Sequence, residues 1–350
     1  MASSTNPSSI QLRRLGRLAL GVLFFAFALT CLTTALQHTF TSNTPTTLSI
    51  HRILHNWGLS PSTYWRTLYP TSFTRDIYPK PIHSHNDYWR RVPFYSAISV
   101  GAISVEADVW EYSGELYVGH DTASLTRNRT FGTLYVTPIR EILDEMNQAQ
   151  RIPIGSSSSE EDEAAVAKPL RGIFDVDPEQ TLHLYVDIKT PGASTLPVVI
   201  QQLEPLRSPR NFLTHWNGTH LVRGQVTVHL SGAAPFELML QHEYRDYFYD
   251  APLSGLASGR YNTSNSLMAT ASFRKEIGAV YWGSGGLSRK MKDKIAAQIK
   301  AAHERGIGVR YWSTPMWPIS VRNQVWGTLV EMGVDLLNVN DLKAATEMKW

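Results

Sequence analysis

The chain has 350 residues, 43% of them hydrophobic and 18% charged, with no long low-complexity run, so one large folded domain or two ordinary ones are expected and general disorder is excluded. Its 33 basic and 30 acidic side chains give a formal charge of +3 and form no concentrated Lys/Arg stripe, which argues against a nucleic-acid partner. The single cysteine, Cys31, excludes an intramolecular disulfide.

In chain order, residues 1–17 form a basic tail in which Arg13, Arg14 and Arg17 precede an uncharged stretch of 19 residues, Leu18 to Leu36. That is close to the ~20 residues a helix needs to cross a bilayer, and the basic flank favours a cytoplasmic N-terminus. The stretch therefore predicts a single transmembrane or signal-anchor helix with the rest of the chain lumenal or extracellular. A cleaved signal peptide, which would give a secreted protein, is the alternative, since small residues at Thr33, Thr34 and Ala35 follow the apolar run. An organellar transit signal also fits the Ser-rich, acid-free start but not the long apolar run. Three acceptor motifs, at Asn128, Asn217 and Asn262, point to a glycoprotein of the secretory pathway.

Residues 37–77 have no sustained period and read as a stem. From residue 78 to 350, short strand-like runs alternate with helical stretches, the signature of a parallel sheet with crossover helices. The strand candidates are Pro81–Ser84, Ile103–Val109, Leu182–Ile188, Gln225–Leu230, Tyr247–Tyr249, Ala279–Trp282, Val309–Trp312 and Leu336–Val339. Eight such runs over this length predict a (β/α)₈ TIM barrel, a fold of about 250 residues. The helical stretches include Pro138–Asn147, Leu196–Leu206, Leu287–Arg305 and Val321–Met332. A Ser/Glu/Asp-rich insertion at 155–167 reads as a solvated loop.

Chemistry-bearing residues concentrate at the C-terminal ends of the expected strands, where barrels of this kind build their sites. The first strand leads into His83-Ser84-His85-Asn86-Asp87-Tyr88. On the second, Glu106 and Asp108 are two residues apart and so point the same way from an extended chain. A Ser113-Gly114 turn and a short run then return His120 and Asp121 to the same mouth, and the third strand adds Asp187 and Lys189. Glu106, Asp108 and Asp187 make a hard oxygen site for one divalent cation, Mg²⁺ or Ca²⁺. Two flanking histidines supply a general base and acid, and Lys189 neutralises a phosphoryl oxygen. Each motif alone also reads as a turn, a polar face or an ion pair, and only their joint placement favours a site.

The series HSHNDY, SVEADVW, LYVGHD and LYVDIKT resembles the phospholipase-C-like, or glycerophosphodiester phosphodiesterase, superfamily, and within it the fungal altered inheritance of mitochondria protein 6 family. The likeness runs from about Lys80 to the C-terminus, through Tyr311-Trp312-Ser313 and Gly333 to Asn340. It implies a metal-dependent phosphoric diester hydrolase with His85 and His120 as the acid and base pair and the metal on Glu106, Asp108 and Asp187. The superfamily's arginine and glycine after the first histidine are Asn86 and Asp87 here, and its acid near the end of the last strand is Asn340. These departures leave the substrate open between a phospholipid-like and a glycerophosphodiester.

His83 competes with His85 for the catalytic role, and His85 is preferred. Asn86, Asp87 and Asp121 either orient the histidines and complete the metal shell or simply form turns. Trp110, Trp282 and Trp312 form either an apolar wall for a lipid-like leaving group or core packing. The alternative to an enzyme is a membrane-anchored inactive barrel that binds a phosphorylated ligand, and a third reading leaves the acids as ion pairs. Nothing in the sequence calls for an obligate protein partner.

Overall fold

The computed structural model describes residues 20–33, 72–148, 169–281, 283 and 285–350. Contacts divide the chain into two compact units, Met1–Tyr69 and Pro70–Trp350. In the first, residues 20–33 form a helix with every side chain exposed, Phe24, Phe25 and Phe27 among them. A helix of that length spans about 21 Å, short of a hydrocarbon core of ~30 Å. No helix among the described residues is long and apolar enough to cross a membrane, so the expected spanning helix over 18–36 gains no support. Its flanks, the 1–17 tail, the stem as far as residue 71 and the 155–167 insertion lie outside the described residues.

The second unit is a closed parallel barrel. Its strands are β1 (Lys80–Ser84), β2 (Ala102–Tyr112), β3 (Glu115–Val118), β4 (Leu182–Ile188), β5 (His215–Trp216), β6 (Leu221–Val222), β7 (Val226–Gly232), β8 (Tyr247–Pro252), β9 (Met268–Ser272), β10 (Gly308–Trp312) and β11 (Leu336–Val339). Eight of them run parallel in the order β1-β2-β4-β7-β8-β9-β10-β11, and β11 pairs back onto β1 to close the ring. β3 is an antiparallel extension of β2, and β5 and β6 form a separate hairpin. The helices are α1 (Tyr95–Ile98), α2 (Thr137–Gln148), α3 (Gly192–Gln202), α4 (Phe236–Met239), α5 (Phe273–Glu276), α6 (Arg289–His303), α7 (Ile319–Glu331) and α8 (Leu342–Thr346).

Side-chain alternation explains the architecture. On β2, Val105, Ala107 and Val109 face one way and are fully buried, whereas Ser104, Glu106 and Asp108 face the other. The same split puts Leu184 and Val186 opposite Tyr185 and Asp187 on β4. Apolar residues thus turn outward to the helices and polar ones into the barrel. The helices answer with apolar stripes: Ile139, Ile142, Leu143 and Met146 on α2, and Ile295, Ile299 and Ala302 on α6, are all buried. At the start of α6 the Ser288 hydroxyl accepts from the Met291 N–H at 3.3 Å, and beyond its end Gly306 takes φ +69°.

Seven of the eight expected strands form, and one does not. Residues 279–281 lie in a loop with Tyr281 exposed, and Trp282 lies outside the described residues. The barrel strand of that stretch is β9, Met-Ala-Thr-Ala-Ser, whose small side chains carry little strand signal. Small residues suit this position because Thr270 donates to Asp250 Oδ2 at 2.8 Å, beside the large Arg310 with which it is paired on the next strand. At the N-terminal edge, residues 72–77 pack on the barrel, with the buried Thr74 hydroxyl donating to Ile173 O at 2.6 Å.

Candidate active site

The site is assembled at the C-terminal ends of β1, β2, β4 and β11. β2 and β3 are joined by Ser113-Gly114, both with positive φ (56° and 82°), between the paired residues Tyr112 and Glu115. This is the two-residue turn that matches strand twist, and glycine takes its left-handed backbone without strain. The hairpin overhangs the mouth and returns the chain to the level of Asp108, where the Gly119 N–H donates to Asp108 O at 3.1 Å. His120 follows directly. Trp110 braces the same turn by donating from Nε1 to Gly119 O at 2.7 Å.

Glu106, Asp108 and Asp187 each offer an oxygen within 4.8 Å of the others, and Glu106 and Asp108 are buried. Lys189 Nζ lies 3.0 Å from Asp108 Oδ2 and 2.9 Å from Asp187 Oδ1. Burial works against its ammonium, but Asp187 and Asp108 outweigh this and raise its pKa. The Ser231 hydroxyl holds the other Asp187 oxygen at 3.0 Å. Burial, with the Glu106 charge beside it, pushes the Asp108 carboxyl up to about 6 against the pull of Lys189. Burial also opposes ionisation of Glu106, but its polar neighbours, the positive charge of Arg310 among them, outweigh it and hold its pKa below the usual range. The Asn86 N–H donates to Glu106 Oε2 at 2.8 Å.

The histidines have distinct settings. His85 Nδ1 lies 2.6 Å from Asn340 Oδ1, an acceptor only, so Nδ1 carries the proton and Nε2, 3.9 Å from Glu106 Oε2, is left as an acceptor. Arg90 clamps this corner, donating to the backbone oxygens of Asn340 and Val339. His120 Nδ1 lies 3.0 Å from the Tyr88 hydroxyl and 3.5 Å from Asp108 Oδ2. Tyr88 is the joint of the site, since its hydroxyl also lies 2.7 Å from Asp108 Oδ2 and 2.9 Å from Asn86 Oδ1. The Trp89 ring stands 4.9 Å from the His120 ring.

His83, the rival of His85, is fully buried below the mouth. Arg310 Nη1 donates to its Nε2 at 3.0 Å, and its Nδ1 meets Ser104 Oγ at 2.7 Å. Burial and the Arg310 charge push its pKa down to about 3, so it is a neutral part of the barrel floor. Asp87 is buried too and organises its loop, accepting from Ser84 Oγ at 2.7 Å, Phe94 N at 2.5 Å and Tyr135 Oη at 3.1 Å. Asp121 caps the short turn Thr122–Ser124 and is exposed. Trp312 is partly exposed at the end of β10, and Asn128, Asn217 and Asn262 are all exposed.

The structure therefore gathers His85, His120, Lys189, Glu106, Asp108, Asp187 and Asn86 at one mouth, and leaves His83, Asp87 and Asp121 in supporting positions beside or below it. Tyr88, Trp89, Ser231 and Arg310 were not singled out from the sequence. Arg310 did carry a signal, as a lone charge between Val309 and Tyr311 in a strand. It donates to Asn338 Oδ1 at 2.8 Å, pairs with Asp250 at 3.4 Å and stacks over Tyr185 at 4.4 Å.

Three carboxylates against the single ammonium of Lys189 leave two excess negative charges in a partly buried cluster. That excess, the oxygen-only donor set and the raised Asp108 all fit a divalent cation.

A closed parallel α/β barrel with an acid and histidine cluster at its C-terminal mouth is the class of protein that the fold and site define. A family model described as the AIM6-like phosphodiesterase domain matches residues 71–250. Altered inheritance of mitochondria protein 6 homolog of Arthroderma benhamiae is 41% identical over 286 residues, covering 79% of this chain and 86% of that protein. Altered inheritance of mitochondria protein 6 of Eremothecium gossypii is 35% identical, over 76% of this chain and 68% of that protein. The Saccharomyces cerevisiae protein of the same name is 30% identical, over 78% and 72%. The chain belongs to the altered inheritance of mitochondria protein 6 family. No solved structure matches it.

Proposed function

We propose that the chain is a divalent-cation-dependent phosphoric diester hydrolase acting on a phospholipid-like or glycerophosphodiester substrate. The observation that carries this reading is the pair of imidazoles, His85 and His120, set against Glu106 and Asp108 of one buried acidic cluster. Glu106, Asp108 and Asp187 would hold the cation, which when bound supplies positive charge to the phosphoryl oxygens. Lys189 adds a second positive group at the same place.

His85, its Nδ1 fixed by Asn340, presents a bare Nε2 and takes the proton of the attacking hydroxyl, from water or from the substrate itself. His120, beside the Asp108 carboxylate and the Tyr88 hydroxyl, gives a proton to the leaving oxygen as the phosphorus–oxygen bond breaks. Water as nucleophile gives a phosphomonoester, and a substrate hydroxyl gives a cyclic phosphate.

The test is turnover of a phosphodiester panel with and without chelator, beside His120→Ala and Glu106→Gln. Turnover in the wild type is expected to stop with chelator, to fall by about 10²–10⁴ in His120→Ala, and to need more cation in Glu106→Gln. Unchanged turnover in His120→Ala would sink the two-histidine scheme. Tight binding of a phosphorylated ligand with no turnover of any diester would establish an inactive binding barrel instead.

A further inference from the structure

We infer that the rim of the barrel mouth is a docking surface for an anionic phospholipid bilayer. Two loops at the C-terminal face carry adjacent exposed apolar side chains: Trp89 and Val92 between β1 and α1, and Trp312, Met316, Trp317 and Ile319 from the end of β10 into α7. Trp317 is 77% exposed and Ile319 51%, far from the burial such side chains normally reach. The patch is continuous with the site: Met316 Sδ lies 3.7 Å from the Asn340 amide that fixes His85, and Trp89 stands against His120.

Charge decides the occupant. Arg91 on the first loop and Arg274 and Lys275 on α5, which follows the neighbouring strand β9, are exposed and make no ion pair with a described residue. Two acids of this face are engaged, Asp341 with Arg322 at 2.8 Å and Glu276 with Lys294 at 3.3 Å. Tryptophans at a water–apolar boundary, flanked by free basic side chains, match the interfacial zone of a membrane with anionic headgroups. A protein groove would instead bring pockets for the aromatic rings and paired carboxylates for the arginines. Docking would place the mouth against the headgroups, so that a diester enters without crossing water. The inference rests on the proposed phosphodiesterase reading only for its purpose.

The full chain is mixed, with chelator present to prevent turnover, with vesicles of phosphatidylcholine alone or with phosphatidylserine, with brominated or ordinary acyl chains. Bromine-dependent quenching of tryptophan emission is expected on the anionic vesicles and is expected to lose a component in Trp317→Phe. A Trp317→Ser/Ile319→Ser protein is expected to need about tenfold more lipid for the remaining rim quenching, and Arg274→Glu/Lys275→Glu to lose the preference for phosphatidylserine. Quenching that is the same in Trp317→Phe as in the wild type overturns the inference, because the helix of residues 20–33 can hold a chain at a vesicle but cannot quench Trp317. Equal quenching on neutral vesicles overturns the anionic assignment, and none on either gives the patch to a protein partner. A chain that docks but cleaves no diester sinks the catalytic reading alone, and one that cleaves soluble diesters without docking sinks this one alone.

Discussion

Asn340 sets the chemistry of His85 from the far end of the chain. Its amide oxygen fixes the imidazole tautomer but brings no charge, whereas a carboxylate at the same place would favour the imidazolium. Asn340→Asp is therefore expected to move the acid limb of the kcat/KM profile to higher pH, by about one unit, with the alkaline limb in place. An unmoved acid limb would show that His85 is not the group whose deprotonation starts the reaction. His83 illustrates the converse. It stands two residues away and is equally conspicuous in sequence, yet burial and Arg310 commit it to the floor.

Among the elements, the last residue of β7 packs directly against the acidic cluster. Gly232 has φ +65°, and a Cβ there would lie 2.5 Å from Asp187 Oδ1 and 2.5 Å from Ile188 O. Gly232→Ala must therefore displace both the Asp187 carboxylate and the strand backbone. It is expected to weaken Mg²⁺ or Ca²⁺ binding by about tenfold or more, beyond a backbone cost of roughly 1–2 kcal/mol. Gly259→Ala is the control, since Gly259 has φ +73° but open space around its would-be Cβ, and only the stability cost applies. Titration calorimetry and urea unfolding of the two proteins separate these effects, and equal cation affinity in both would remove Gly232 from the site's support.

At the scale of the molecule, the polar interior gives the fold an acid weakness. Burial first, and then neighbouring positive charge, lowers His83 to about 3 and His183 to about 4 and displaces His229 in the same direction. Groups whose folded pKa is depressed contribute stability that is present above the unfolded value of 6.5 and is lost as pH falls toward the folded value. For His83 alone the difference corresponds to roughly 5 kcal/mol. Asp108 and Asp250, both raised to about 6 chiefly by burial, act in the opposite sense between pH 6 and 4, where the folded chain binds their protons more readily. The expected profile is a shallow change from pH 6 to 4 and a steep loss below 4, read by urea unfolding across that range. A uniform decline beginning at pH 7 would contradict this balance.

Local pattern was enough to determine much of this protein. The spacing of Glu106 and Asp108, the Ser113-Gly114 turn and the alternation along β2 and β4 act within a few residues of themselves, and barrel closure then brings strand ends to one mouth. The start of α6 at Ser288 and its stop before Gly306 are local signals of the same kind. Strand β9 gives no such signal, because its identity comes from the space left by Arg310 and Asp250 rather than from its own small residues. Residues 279–281 offered apolar side chains where the ring of strands had no place for them. Only the tertiary structure could bury His83 in the floor and leave His85 at the mouth, turn Asn340 from an altered acid into the partner of His85, and make Tyr88 the joint of three polar groups. Burial, tautomer and charge at a site depend on groups up to 255 residues apart, and no local pattern contains that distance.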